Sequence, residues 1–184
     1  MATTLHLVRQ KPDFLSRLSG GGLAPKSRAF SIGKRPPVAY LVAPQCETRL
    51  RHPRTKLATF GFAPAIAGEN VALGVQPIFL THGRQGHGNG MGALHIWKRH
   101  GGNLAPFGVS GVETVAQFVA QVICPGTSLY WQKNGTDQLR IAAYRDNIGT
   151  VILGHRIWRK GPRWEVITAF AGEPWEGPRM GEIS

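Results

Sequence analysis

The chain has 184 residues, 42% of them hydrophobic, which allows one domain with a real core plus extensions. Its 22 Lys and Arg against 10 Asp and Glu give a formal charge of +12, which favours polyanionic partners such as nucleic acid or an anionic membrane surface, and suits storage with an acidic partner. Cys46 and Cys124 make neither a disulfide framework nor a structural zinc set, and no run reaches the roughly 18–20 apolar residues of a membrane span or forms the apolar core of a secretory signal.

The basic surplus is uneven, nine over residues 1–90 and three over 91–184. "SGGGLAPKS" (19–27) and "GKRPP" (33–37) are linker-like, because Gly and Pro continue neither a helix nor a ladder. "SRAFSIGKRPP", acid-poor with Ser and Arg, also passes a loose test for an organelle transit peptide, a pattern shared by any basic tail. "VAYLVA" (38–43) reads as a short strand and "NVALGVQPIFL" (70–80) as another, broken at Pro77. "THGRQGHGNGMG" (81–92) reads as a glycine-dense loop whose His82 and His87 are solvated. Composition thus predicts a basic, extended or disordered region over 1–60, a Gly-rich lead-in over 61–92, a domain over 93–176 and a tail over 177–184.

"LHIWKRH" (94–100) predicts a short helix stopped by Gly101 and Gly102, with Leu94 and Trp97 on one side. "VSGVETVAQFVAQVICPG" (109–126) predicts a second helix. Ser110 and Glu113 have capping-box spacing, Val115, Phe118, Val119 and Val122 recur at three and four, and Pro125-Gly126 ends it. Four strand-like runs follow, at 128–133, 138–145, 149–158 and 163–170, the first two joined by an Asn-Gly turn signal. The expectation is an α+β fold: two N-terminal helices packed on a four-stranded antiparallel sheet, preceded by a basic, largely irregular region.

Gly92, His95, Ile96, Arg99, His100 and Gly101 at the front, with Val166, Ile167, Thr168, Ala169 and Phe170 at the back, carry a resemblance. In this order of elements, residues from about 90 to 175 resemble the barnase–EndoU–colicin–RelE superfamily of ribonucleases, closest to its toxin and prophage nuclease domains. The resemblance implies an enzyme, a metal-independent endoribonuclease that cleaves tRNA or another structured RNA. It also implies an acidic immunity protein or antitoxin as partner, and action in the cytoplasm of a target or host cell, with secretion as a toxin and organelle targeting both left open. It implies His100 as catalytic base or acid, His95 as a weaker second, and basic and hydroxyl partners from the sheet.

Chemistry fits that expectation. RNA cleavage without a metal or cofactor needs a base for the 2′-OH proton, an acid for the leaving oxygen and cations for the phosphate. Histidine and arginine supply these. Arg145 and Thr168, at the ends of the second and fourth strand runs, are the sheet candidates, with Arg140, Lys133 and His155 as replacements. Lys98, Arg99, Lys133, Arg140 and His155 are the RNA-contact candidates. Each has a plainer reading: a solvated histidine, a packed one bonded to a carbonyl, or a β-forming threonine. His95 and His100 stand about 140° apart on a helix, which argues against a joint site. Arg140 and Arg145 face opposite sides of a strand. The glycines of 83–92 are no dinucleotide fingerprint, lacking a preceding strand in register and a later acidic residue. Trp131, Trp158, Trp164 and Trp175 are core or rim, one of them open to base stacking.

The rival readings are a non-catalytic basic RNA-binding or ribosome-associated protein, and a structural protein enzymatic only by ancestry. Convergence of His100, Arg145 and Thr168 would favour catalysis, and their scatter would favour binding.

Overall fold

The computed structural model describes residues 44–68, 71–86, 88–132, 139–172 and 177–184. The basic segment 1–43 with "VAYLVA", His87, Lys133, the Asn-Gly turn and Trp175 lie outside the described residues.

Among the described residues, nine strands, two helices and a 3-10 turn at Ala105–Phe107 follow a short 3-10 turn at Pro44–Glu47. The strands are β1 (Thr59–Ala63), β2 (Ile66–Gly68), β3 (Val71–Leu73), β4 (Gln76–Phe79), β5 (Ser128–Trp131), β6 (Arg140–Arg145), β7 (Gly149–Trp158), β8 (Gly161–Phe170) and β9 (Arg179–Glu182). The helices are α1 (Gly92–Leu104) and α2 (Val115–Val122). Seven strands form one curled sheet in the order β1-β4-β8-β7-β6-β5-β9, while β2 and β3 form a separate pair. β4 runs parallel to β8 and every other pairing is antiparallel.

The expected two helices on a four-stranded antiparallel sheet is therefore corrected to a mostly β, seven-stranded mixed half-barrel. The four predicted strands are its β5 to β8. The extra strands come from segments whose local chemistry hides them. "TFGFA" carries a Gly and "RMGE" is short and polar, while "QPIF" lies in the run 70–80 read as a strand broken at Pro77, with nothing local to place it in this sheet. Their pairing is non-local: β4 joins β8 across the whole helical region, and β9 returns to β5. Propensity and period report local preference, and tertiary pairing overrides it. The sheet thus draws on residues on both sides of 93–176.

The helices differ from expectation at their ends. α1 does not stop at Gly101-Gly102 but runs on to Leu104. Gly101 is buried, and a Cβ there would lie 2.4 Å from the Trp97 ring, so the glycine makes room for that ring inside the helix. α2 begins at Val115 rather than near Ser110, because the Thr114 hydroxyl accepts the Ser110 and Gly111 N–H groups in a preceding turn. Its apolar stripe Val115, Phe118, Val119 and Val122 is fully buried.

Alternation along β7 and β8 sorts their side chains onto two faces. Val151, Leu153, Trp164, Val166 and Ala169 join the main core with Ala93, Ile96 and Leu104 of α1 and the stripe of α2. Ile152 and Ile167 join Ala142, Met91 and Phe170 in a second, smaller cluster. Ile152 opposes Thr168 and Leu153 opposes Val166, which leaves Ile167 as an extra residue in a bulge. Phe118 and Trp164 are fully buried, and truncation of either to Ala costs about 3–5 kcal/mol by cavity formation.

Two neighbouring glycines separate propensity from packing. Gly102 has open space around its Cβ position. Gly102→Ala is expected to stabilise α1 by up to about 1 kcal/mol, about 2–4 °C in Tm. Gly101→Ala is expected to lower Tm, because its methyl meets Trp97. Thermal unfolding followed by circular dichroism checks both, and a rise in both would show that the Trp97 contact does not matter.

Candidate functional site

α1 delivers both candidate histidines to one place. His95 is buried, and its Nδ1–H donates to Gln85 Oε1 at 3.1 Å, which leaves the lone pair of the neutral ring on Nε2. Its ring meets that of His100 edge to face, with centroids 6.5 Å apart and planes at 84°. His100 in turn lies 5.8 Å from the Phe170 ring. The 140° separation thus did not keep the two apart. That angle describes where the Cβ bonds leave the helix, whereas the rings extend well beyond and lean toward the helix N-terminus. His100 sits within α1 rather than at its end, so its approach to the sheet does not depend on a stop after it.

Both imidazoles are held below the ordinary histidine pKa. For His95 the causes are burial and then the Arg99 charge; for His100 they are burial, Arg99 and His95. Each ring is therefore neutral at pH 7 with a lone pair available to take a proton.

Phe170 and Thr168 share a face of β8, two residues apart. The Thr168 Oγ1 is buried and has no hydrogen-bond partner among the described residues. Its cross-strand partner Ile152 lies on that same face of β7, as do Gly154 and Arg156. Arg140 stands opposite Gly154 on β6 and joins this face. Further along, Arg156 is 3.8 Å from Glu165, which also accepts a hydrogen bond from Arg163. A cleft of about 240 Å³ opens here, lined in part by Arg84, Met91, Arg156, Trp158, Arg163 and Glu165. Met91, at the N-cap of α1, lies 3.7 Å from Arg156 and packs against the small cluster of Ala142, Ile152 and Ile167, as Phe170 does.

The remaining candidates are elsewhere. Arg145 donates to the Gln121 carbonyl at 2.9 Å and contacts Cys124 Sγ, so its guanidinium caps the end of α2. It does not converge with His100 and Thr168. His155 points to the main-core side of β7, its ring 5.3 Å from Trp164, and burial lowers its pKa. Lys98 and Arg99 are exposed on α1. Arg99 still acts on both histidines through its charge.

Sequence reasoning missed Arg156, Arg163 and Glu165. The signal was present: "GHRIW" and "RWEV" alternate, and pairing β7 with β8 in register brings Arg156 opposite Arg163. No group of three or more His, Cys, Asp or Glu side chains positioned for a metal occurs among the described residues. Nor is any helix there long and apolar enough to cross a membrane. Compared with known proteins, the chain matches no family model, no curated protein and no solved structure.

The lowered histidines fix a pH dependence of stability. Above the unfolded pKa of about 6.5 each ring is neutral in both states and the stability is complete. As pH falls, the unfolded chain takes up protons that folded His95, His100, His52 and His155 resist, so stability is lost as pH drops through their folded pKa values. Tm is expected to fall as the solution is acidified below about pH 6.5, and less steeply in His95→Gln. A flat Tm from pH 7.5 to 5 would contradict the burial of these rings.

Proposed function

We propose that the protein is a toxin-type endoribonuclease that cleaves tRNA or another structured RNA by attack of a 2′-OH on the neighbouring phosphate, with no metal in the step. The observation that carries this reading is the His95–His100 pair, neutral at pH 7, against Phe170 on the sheet face that also bears Thr168. A neutral imidazole is the base such a reaction needs. His100 takes the 2′-OH proton, and the imidazolium so formed returns it to the leaving 5′-oxygen, with His95 beside it as the weaker second candidate. The Thr168 hydroxyl, without a partner among the described residues, donates to the phosphate. Arg156 on the same face takes the cationic role first expected of Arg145. The likeness of the His100 helix and the "VITAF" strand to the barnase–EndoU–colicin–RelE superfamily supports the same chemistry, and an acidic immunity protein or antitoxin would match the +12 charge.

Binding without catalysis is the competing reading, and the departure of Arg145 from the cluster favours it.

Incubation of the purified protein with total tRNA in EDTA separates the two. Wild type is expected to give discrete products, and His100→Ala to cut about 10²–10⁴-fold more slowly. Equal cleavage by both would remove His100 from the site, and RNA that is shifted on a gel but intact would make the protein a binding module. The acid limb of kcat/KM is expected below pH 6.5, because the base loses activity only when it takes up a proton, and its pKa is lowered.

A further inference from the structure

The cleft beside the β7–β8 hairpin shares Arg156 with the proposed reaction, but the rest of its chemistry is not used there. Its volume of about 240 Å³ is below the roughly 300–1,000 Å³ of pockets for drug-sized molecules, which limits it to one small unit. Arginines 84, 156 and 163 line it against Glu47 and Glu165, leaving it positive. Glu165 is 5% exposed and is shared by Arg156 and Arg163, so it orients both guanidiniums without saturating their donors. Arg163 is only 6% exposed, and its Nε has no hydrogen-bond partner among the described residues. The Thr81 hydroxyl, buried in the same lining, has none either. Unsatisfied buried donors of this kind are costly, and an anionic ligand with several acceptor oxygens would satisfy them.

The rim adds an aromatic surface. Trp158 is 39% exposed, with the Arg163 guanidinium 4.5 Å from its ring centroid. Ile157 beside it is 85% exposed, and Arg159 and Lys160 at the hairpin tip are exposed. A positive cleft next to an accessible indole fits a phosphate joined to a flat ring.

We infer that this cleft is a subsite for one unpaired nucleotide of a single-stranded RNA segment, with the phosphate on Arg84, Arg156 and Arg163 and the base against Trp158. The inference rests on the RNA-directed reading above and adds to it a requirement that the RNA be unpaired at one position near the cut. An indole accepts any base face, so the subsite selects for single-strandedness rather than sequence.

The test uses a short fluorescein-labelled oligodeoxythymidylate and an abasic oligomer of the same length, followed by anisotropy. Neither has a 2′-OH, so binding is read independently of cleavage. Wild type is expected to bind the thymidylate more tightly than the abasic oligomer. Trp158→Ala should weaken thymidylate binding about ten-fold or more and leave the abasic oligomer unchanged, with Trp158→Phe retaining most of the preference. Arg156→Gln should weaken both and reduce the slope of log K against log salt by about 0.7. Each variant is first checked for a wild-type thermal transition. The inference is overturned if Trp158→Ala binds thymidylate as wild type does, or if inorganic phosphate alone displaces it at equal concentration. It is equally overturned if Trp158→Ala loses only binding to phosphatidylserine vesicles, which would make the hairpin a membrane contact. Base-dependent binding by a protein that cuts no tRNA would retain the subsite and refute the ribonuclease, and the converse result would do the opposite.

Discussion

The antiparallel pairing of β7 with β8 is the constraint on which the remaining structure depends. Its register runs from Thr150 opposite Phe170 to Trp158 opposite Gly161. One face of this ribbon supplies the main core, into which both helices pack, and the other carries Thr168, Arg156, Glu165 and Arg163. A one-residue slip would exchange the two faces, burying the charged groups against α1 and α2. The bulge at Ile167 keeps both halves of β8 in phase with β7. Gly154 permits it: a Cβ there would stand 2.9 Å from the Ile167 side chain.

The charged part of that face holds together because its one acid, Glu165, is shared by two guanidiniums. Glu165 alone in a buried setting would be expensive, and so would Arg163. Together with Arg156 they form a group in which each charge has an opposite neighbour. Arg163 also lies over Trp158 and within 5.8 Å of the Phe79 ring centroid, while the Arg49 guanidinium lies 3.7 Å from that same centroid. Cation–π contact of this kind compensates part of the lost hydration. The excess charge on this part of the face is positive.

Much of this was legible in the sequence where the signal is local. β5 to β8 stand out as β-branched and aromatic runs between turns, and the stripe of α2 as a three-and-four repeat. What escaped depends on partners distant in the chain. β4 falls in the run 70–80 that reads as a strand broken at Pro77, but its pairing with β1 and β8, and so its place in the large sheet, has no local signal. The end of α1 escaped because Gly101 looks like a stop until Trp97 is seen to need its space. In the site, His95, His100 and Thr168 were named from residue type and likeness. Arg145 was given a place that Arg156 holds, since strand ends are visible in a sequence and cross-strand register is not.

Gly90 has a role unlike that of the other glycines around it. Its φ lies outside the left-handed region that Gly88 and Gly92 occupy, so the backbone does not require a glycine there. A Cβ at this position would fall 2.2 Å from His95 Nδ1, the atom that donates to Gln85. The missing methyl therefore decides which nitrogen of the imidazole carries the proton. Any larger residue would push the ring off its acceptor and let the two tautomers compete. At this position the smallest side chain governs proton bookkeeping on a ring five residues further along the chain.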